Sequence, residues 1–417
     1  MNVPVNTPVF QGNEKKYLMD CIDTGWISSA GAYIEKFEQG MAELTGQKYG
    51  IAVCNGTAAL EAAVLALNLE KGGEVILPDF TIISCVQAIV KAGLIPVPVD
   101  CAADTWNMDI SQVEAKITDK TRAIMVVHIY GLPTDMDPIR ELARKHNLKI
   151  IEDAAEAHGL TYRGESCGGM GDASIFSFFP NKHITSGEGG MIMTSDEAIR
   201  DRARGARNLF FDPERRYIHS EFGSNFRMTN MQAAVGLAQL EQIGTTVKRK
   251  REIGAYYQEA LQGIDGIQLP LPRTEYAENI YWVFGIVLKD PDRNADEIMK
   301  KLGEKGIGTR HFFYPMHKQP ALLKEGCCPK ESLEDSLYPN ANYISTHGFY
   351  IPSGLGLTRE QRMRNLAQAW EPARPISFPV LLVDDVLTTG TTALRCSEAL
   401  RRGGATDITV LTVTHAV

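Results

Sequence analysis

The sequence predicts an α/β protein with a largely parallel sheet, followed by a smaller α+β unit. Between residues 48 and 178, short apolar runs alternate with stretches of helical pattern, as parallel strands do with their crossover helices. Runs such as Ala123–Val127 are apolar throughout, which is typical of a strand buried on both faces. A proline-rich break at Leu269–Pro272 then marks a plausible domain edge.

The elements follow one another in a regular order. The predicted strands of the first part are short apolar runs at Tyr49–Cys54, Glu74–Leu77, Ile95–Val99, Ala123–His128, Lys149–Glu152 and Ala173–Phe178. Helical patterns cover Thr57–Leu69, Ile83–Ala92, Pro138–His146, Met228–Ile243 and Val247–Gln262. Beyond the break, Tyr281–Leu288 alternates as a strand and Asp296–Lys305 has a helical pattern. We therefore predict a large domain over residues 1–245 and a small domain over residues 246–356.

The composition is that of an ordinary globular chain. Of its 417 residues, 44% are hydrophobic and 23% are charged, which excludes a disordered or collagen-like protein. A formal net charge of −8 provides no general field for a polyphosphate backbone, so nucleic acid is not expected as a main partner. The eight cysteines include no C-x-x-C pair, which favours reduced thiols in a cytosolic protein.

Nothing in the sequence indicates a membrane or a metal. The first 16 residues contain no apolar core of a signal peptide. No apolar run approaches the roughly 18 residues that a spanning helix needs. The nine histidines and eight cysteines show no metal-ligand spacing. We expect a cytoplasmic protein that binds neither a membrane nor a metal.

Polar residues cluster at the ends of five predicted strands. Because ligands of open α/β sheets bind outside the carboxyl ends of the strands, these residues are expected to share one rim. They are Asn55-Gly56-Thr57, Asp79-Phe80-Thr81, His128 to Gly131, Glu152-Asp153, and Ser177 with Asn181-Lys182. Five such ends predict a site rather than scattered polar residues.

The first of these ends has the pattern of a phosphate site. Gly56 and Thr57 begin a helix, where free N–H groups and the helix dipole favour an anion. Glycine also lets the anion approach the backbone closely. The alternative is a plain helix cap made by Asn55 or Thr57. Taken alone, this short motif does not decide between the two.

Two further ends carry acid and amine groups. Asp153 and Glu156 follow a buried strand among small alanines, which leaves room for a flat molecule; the alternative is a capping Asp with a solvated Glu. Lys182 follows another apolar strand and precedes a glycine-rich turn. A lysine in a confined site loses proton affinity and becomes a usable nucleophile. The alternative for a lone lysine is an ordinary exposed side chain.

Residues 1 to about 356 resemble the nucleotide-sugar aminotransferases of the DegT/StrS type, which use pyridoxal phosphate (PLP). The branch that they resemble most aminates C4 of a GDP-4-keto-6-deoxy sugar. The matching motifs are Trp26-Ile27-Ser28-Ser29, Asn55-Gly56-Thr57, Glu152 to Gly159, the Lys182 segment, Gly223 to Met228 and Pro315-Met316-His317. The resemblance implies the type I (aspartate aminotransferase-like) fold of PLP-dependent transferases.

The resemblance also implies catalytic roles. Lys182 would hold PLP as a Schiff base and then carry the proton between the cofactor and the sugar carbon. Asp153 would pair with the pyridine nitrogen, which makes the ring an electron sink. Glu156 would lie near the phenolic oxygen of the cofactor. Arg227 and His317 match positions near the sugar nucleotide.

Further positions would hold the cofactor. By the same resemblance, Gly56, Thr57 and Ser177 would bind its phosphate. Asn225 matches a phosphate contact that the partner subunit supplies, which implies a homodimer with shared sites. Where the family often places an aromatic residue to stack on the ring, this chain has Ile82. An aliphatic side chain can still cover the ring, so Ile82 remains a candidate contact.

The C-terminal residues have a different pattern. Pro379–Thr392 has the order strand, two acids, Thr/Gly loop and helix start. A loop of this kind can cradle a phosphate, while the acids bond ribose hydroxyls. The pattern resembles the phosphoribosyl-pyrophosphate (PRPP) loop of ComF-like type I phosphoribosyltransferases. The residues concerned are Asp384, Asp385, Thr388, Thr389, Gly390, Thr391 and Thr392.

We place the join near Gly354–Leu357, so that residues 357–417 form a phosphoribosyltransferase-like strand-loop-helix-strand fragment. The fragment lacks the earlier strands of a complete transferase. A fusion scar that binds nothing is therefore favoured over a working loop.

The sequence thus favours a PLP-dependent aminotransferase. It would take the amino group from glutamate and pass it to a 4-keto nucleotide sugar for a surface polysaccharide such as the O-antigen. One alternative is a non-catalytic binding or regulatory protein on the same scaffold. The intact pair of Asp153 and Lys182 speaks against that alternative. Another alternative is a phosphoribosyltransferase, which depends on the C-terminal segment alone.

Overall fold

The computed structural model describes residues 3–212, 214–215, 217–358, 361, 380–387 and 408–415. Its large domain contains the strands β1 (Tyr49–Val53), β2 (Glu74–Pro78), β3 (Ile95–Val99), β4 (Thr121–Val127), β5 (Lys149–Asp153), β6 (Thr161–Tyr162), β7 (Glu165–Ser166), β8 (Ala173–Ser177) and β9 (Gly190–Thr194). Seven of them form one sheet in the order β1-β9-β8-β5-β4-β2-β3, and β6 pairs with β7. The neighbours from β8 to β3 are parallel, whereas β9 is antiparallel to β1 and β8.

The large-domain helices lie between and around these strands. They are α1 (Glu14–Thr24), α2 (Ala32–Thr45), α3 (Gly56–Ala66), α4 (Ile83–Lys91), α5 (Met136–His146), α6 (Glu197–Arg207) and α7 (Asn230–Leu240), and α8 (Ile243–Leu261) leads to the small domain. Local sequence explains several ends. Thr229 and Gln232 form a capping box at α7, and Asn147 ends α5 in the left-handed conformation.

Apolar side chains cover both faces of the main sheet. Leu77 and Met125 belong to the buried cluster on one face, and their neighbours Ile76 and Val126 belong to the cluster on the other. This alternation follows from the two-residue period of a strand. The mostly parallel α/β architecture predicted from the sequence is therefore confirmed. Strand β9 was not predicted, because its short apolar run directly follows a glycine-rich turn.

The part of the chain predicted as the small domain is built on a second sheet. It contains β10 (Ile267–Gln268), β11 (Phe284–Leu288), β12 (Arg310–His311) and β13 (Gly348–Ile351), in the antiparallel order β10-β11-β13-β12. Its helices are α9 (Ala295–Glu304), α10 (Pro320–Glu325) and α11 (Pro339–His347). The predicted strand at Tyr281 begins at Phe284 instead, because Tyr281 has a left-handed backbone conformation with φ +48°.

Two more strands, β14 (Val380–Leu387) and β15 (Ile408–His415), pair in parallel. The sequence pattern places the acidic pair after the strand, but β14 continues through Asp384 and Asp385 to Leu387. The remaining residues of the PRPP-loop pattern, Thr388, Thr389, Gly390, Thr391 and Thr392, lie outside the described residues. None of the described helices has the length and apolar character needed to cross a membrane.

Candidate active site

The turn between β1 and α3 lies against the end of β8. A Cβ atom placed on Gly56 would lie 2.7 Å from the Cβ of Ser177, so only glycine permits this approach. The side chain of Asn55 caps α3 by accepting a backbone N–H at 2.8 Å. The Thr57 hydroxyl lies 2.9 Å from that of Ser84. Hydroxyl groups and a helix N-terminus thus meet in one place, as an anion site requires.

Asp153 is buried at the end of β5. Its Oδ1 accepts the N–H of Ala155 at 3.0 Å, and its Oδ2 accepts the thiol of Cys85 at 3.2 Å. Burial raises the pKa of the Asp153 carboxyl, although both bonds and the charge of Lys182 favour its ionised form. A cationic partner such as a protonated ring nitrogen would be well placed here. Cys85 was not predicted, because nothing in its helical sequence signals the contact.

Glu156 is also buried, one turn beyond Asp153. Its Oε2 accepts the backbone N–H of Tyr130 at 2.8 Å, and its Oε1 lies 3.7 Å from the amine of Lys182. Burial raises the pKa of Glu156 to about 7, and Lys182 opposes that shift. Glu156 is therefore poised to exchange a proton near neutral pH.

Lys182 follows β8 in a tight turn that its N–H closes by donating to the carbonyl of Phe179. Its side chain is only 10% exposed, and its Nζ lies 3.7 Å from the ring centroid of Trp282. Burial lowers the pKa of the Lys182 ammonium, while the charges of Glu156 and Asp153 oppose the shift. The structure therefore excludes the exposed-lysine alternative and presents a confined amine.

His128 and Glu152 form a buried pair behind the rim, with Nε2 and Oε1 at 2.9 Å. With Cys167 they are close enough to share a metal ion. However, the N–H of Thr134 donates to Nδ1 of His128, so the proton is on Nε2 and points to Glu152. Glu152 also accepts N–H groups of Met170 and others in the same turn. The ligand atoms of His128 and Glu152 are thus engaged in hydrogen bonds within the protein.

Three predicted contacts lie nearer the surface. Ile82 is 45% exposed and precedes α4, where it can cover a flat ligand. Asn225 is exposed, as a contact across a subunit interface requires. Arg227 is half-buried, and its Nη1 donates to Asn208 Oδ1 at 2.7 Å.

His317 is buried rather than open to the rim. Its Nδ1 lies 2.7 Å from Asp79, and its Nε2 lies 2.9 Å from Asp335. Its ring stacks on Tyr338 with a centroid separation of 4.4 Å. A direct contact with a substrate would need one of these bonds to open.

The geometry fits the expected cofactor. The Lys182 amine lies 3.7 Å from Glu156 Oε1, Asp153 and Glu156 are both buried, and both carboxylates favour a positive charge on that amine. The cradle at Gly56 and Ser177 has no room for another side chain and offers hydroxyl and N–H donors. An amine, an acid for a ring nitrogen and an anion cradle are the groups that a phosphorylated pyridine aldehyde requires.

Comparison with known proteins agrees with this geometry. The profile of the DegT/DnrJ/EryC1/StrS aminotransferase family matches residues 8–368. GDP-perosamine synthase of Escherichia coli O157:H7 is 42% identical over 359 residues, which cover 86% of this chain and 95% of that protein. GDP-perosamine synthase of Caulobacter vibrioides is 40% identical over 367 residues, with 88% and 96% covered.

Solved structures give the same result. DesV of S. venezuelae has a TM-score of 0.78 at 32% identity and covers 85% of this chain and 93% of its own. An aminotransferase of Psychrobacter cryohalolentis has a TM-score of 0.79 at 28% identity, with 88% and 98% covered. The resemblance of residues 357–417 to a phosphoribosyltransferase gains no support from these similarities. The chain belongs to the DegT/DnrJ/EryC1/StrS family of aminotransferases, and its cofactor is PLP.

Proposed function

We propose that this enzyme moves an amino group from glutamate to the C4 ketone of a GDP-4-keto-6-deoxy sugar, in the cytoplasm, for a surface polysaccharide. The GDP-perosamine synthases of E. coli, C. vibrioides and Vibrio cholerae support this substrate, at 42%, 40% and 39% identity. Within the structure, the observation that carries the proposal is the confined amine of Lys182, 3.7 Å from Glu156.

The residues described above would hold the cofactor in a defined orientation. Lys182 would bond its aldehyde carbon, and Asp153 would face its ring nitrogen. Gly56, Thr57 and Ser177 would surround its phosphate. When bound, PLP withdraws electrons from the carbon that gains or loses the amino group.

The protein then has to move one proton at that carbon. The Lys182 amine would be the base and acid for this step, because burial lowers its pKa and so eases the loss of its proton. Glu156 lies close enough to accept or return a proton, and its pKa of about 7 suits that exchange. Asp153 would supply a negative charge opposite the ring nitrogen. These roles use only groups that the fold already brings together.

We propose a homodimer with shared sites. Asn225 is exposed, so its side chain is free to reach the cofactor phosphate of a partner subunit. Two large aromatic side chains are also exposed. Phe222, three residues before Asn225, is fully exposed, and Trp26, near the N-terminus, is 59% exposed. Exposed aromatic residues of this kind mark protein interfaces.

Arg227 and His317 remain the proposed contacts of the sugar nucleotide. Arg227 has further N–H donors beyond its bond to Asn208, and a guanidinium suits a diphosphate. His317 would contact the nucleotide once its bond to Asp79 or to Asp335 opens.

The decisive experiment incubates the PLP-loaded protein with glutamate and a GDP-4-keto-6-deoxy sugar and identifies the product by mass spectrometry. We expect 2-oxoglutarate and a GDP-amino sugar in equal amounts, and none with Lys182→Ala. The same reaction with the matched dTDP-keto sugar tests whether the enzyme prefers GDP as the nucleotide of its substrate. If no keto sugar accepts an amine while the dimer and bound PLP persist, the non-catalytic binding protein replaces this proposal.

A further inference from the structure

Trp282 of the small domain reaches the amine of the large-domain lysine. The Nζ of Lys182 lies 3.7 Å from the centroid of the indole and 3.7 Å from Oε1 of Glu156. The amine therefore contacts both a carboxylate and the face of an aromatic ring. Both groups attract a positive charge, and tryptophan does so more strongly than other aromatic side chains.

Trp282 is held in place by one hydrogen bond of its side chain and one of its backbone. Its Nε1–H donates to the backbone carbonyl of Asn181, the residue before Lys182, at 2.9 Å. Its own backbone carbonyl accepts the ammonium of Lys250 at 3.0 Å. Its ring also packs against Tyr130, with centroids 5.9 Å apart. Trp282 is therefore tied to the segment that carries Lys182.

The backbone around Trp282 is constrained as well. Tyr281 has φ +48°, and its N–H is held by Asn279 Oδ1 at 2.6 Å. A Cβ on Gly131, which has φ +99°, would lie 2.6 Å from the backbone nitrogen of Trp282. A left-handed tyrosine and a close glycine contact are costly features that persist where the fold requires a side chain at a set place.

Lys250 supports this arrangement from helix α8. It is buried, and besides the Trp282 carbonyl it bonds the carbonyl of Ser353 at 2.7 Å. Burial lowers its pKa to about 7. The buried Lys250 amine thus joins α8, Trp282 and the segment after β13 at a single point.

We propose that Trp282 is a positioning residue that receives the Lys182 amine whenever it is free and favours its protonated form. The inference rests on the proposed function, since turnover releases this amine and then requires it to hold a proton. Without the ring face, the free amine would have Glu156 and Asp153 as its attractive neighbours, and its position would be less defined.

The remaining titratable groups around Lys182 do not take over this role. Burial lowers the pKa of His158 to about 3, and that of His183 falls well below its ordinary value. Both histidines are therefore neutral at physiological pH. The groups that favour a positive charge on Lys182 are thus the two carboxylates and the indole ring.

The test measures how readily Lys182 reacts in the cofactor-free protein. The full chain is trace-acetylated with acetic anhydride across a pH series, and the Lys182 peptide is quantified by mass spectrometry. The midpoint of the pH curve reports protonation of the amine, whereas the plateau reports its accessibility. Trp282→Leu removes the aromatic face, and Trp282→Phe keeps a ring but loses the indole N–H.

We expect the midpoint to move to lower pH in Trp282→Leu. Below the midpoint the reactive neutral amine should become about tenfold more abundant. The midpoint of Trp282→Phe should lie between those of the Leu variant and the wild type, because a phenyl ring attracts a cation less strongly than an indole. In the loaded enzyme, kcat should fall in the Leu variant and recover in the Phe variant, with KM little changed.

An unchanged midpoint with an altered plateau in Trp282→Leu would overturn the proposal, because it would show a packing role only. If circular dichroism shows that this variant is unfolded, Trp282→Met provides the same comparison. The measurement needs no sugar substrate. A failure of the wild-type enzyme to form an amino sugar would therefore refute the proposed function separately.

Discussion

The imidazole of His317 bonds the carboxylate of Asp79 at 2.7 Å, and the backbone N–H of His317 bonds the other oxygen of that carboxylate at 2.8 Å. Asp79 follows β2 in the large domain, whereas His317 belongs to the small domain. A second carboxylate, that of Asp335, accepts a hydrogen bond from Nε2 of the same ring. Only the imidazolium form can donate from both nitrogens, so the pair joins the two domains by a charged bond.

This bond predicts a dependence of stability on pH. Burial opposes protonation of His317, but the bonds to Asp79 and Asp335 outweigh it and raise the pKa of the imidazolium. Because the pKa of His317 is higher in the folded state, its protonation stabilises the fold fully at pH values below its unfolded pKa of about 6.5. This stabilisation is lost as the pH rises through the folded pKa. We expect the urea concentration at the midpoint of unfolding to decrease as the pH is raised from neutral to alkaline.

The variant Asp79→Asn tests whether the Asp79–His317 pair causes this pH dependence. It keeps the shape but removes the charge, so we expect a loss of about 3 kcal/mol of unfolding free energy and a flatter pH dependence. Asp335→Asn is a milder control, because Asp335 is largely exposed. Wild-type pH dependence in Asp79→Asn would show that the pair does not govern it.

The sequence predicted the rim of the site better than its surroundings. Asp153 and Lys182 were identifiable because Asp153 ends the buried strand β5 and Lys182 lies in the turn after β8, and the ends of parallel strands meet at one edge. Trp282 was not identifiable, since its contact with Lys182 forms only when the small domain folds back on the large one. Cys85 was missed for a similar reason: it lies in an apolar helix, and its bond to Asp153 spans 68 residues.

The glycine at the phosphate cradle predicts a specific loss of cofactor affinity. In Gly56→Ala, the new methyl group would lie 2.7 Å from Ser177 Cβ and 3.0 Å from its hydroxyl. Overpacking of this kind costs about 1–3 kcal/mol, so we expect PLP binding to weaken about tenfold or more. Absorbance titration of the stripped protein with PLP measures this change.

Gly244→Ala is the control for that variant, because a Cβ there meets nothing within 4 Å. It should bind PLP as the wild type does. Equal affinities of the two variants would place the cofactor phosphate elsewhere.

Removal of the C-terminal segment should leave transamination intact. The family match ends at residue 368, and the proposed site residues lie between Gly56 and His317. A chain ended after residue 368 is therefore expected to form the amino sugar at the wild-type rate. The full chain should not bind labelled PRPP, as a fusion scar predicts. Tight binding that is lost in Asp384→Asn would instead establish a working loop.

The thiol of Cys85 should govern the acidic limb of the pH–rate profile. Burial and the charge of Asp153 raise the pKa of this thiol far above neutrality, so it remains a donor to the carboxylate. Cys85→Ala removes that donor, which disfavours ionised Asp153 and raises its pKa further. Because Asp153 must be ionised to pair with a protonated ring nitrogen, activity should then be lost at a higher pH than in the wild type. Cys85→Ser restores a donor and should restore the profile. A parallel decrease at every pH in Cys85→Ala would indicate a packing defect, and this would contradict the assigned bond.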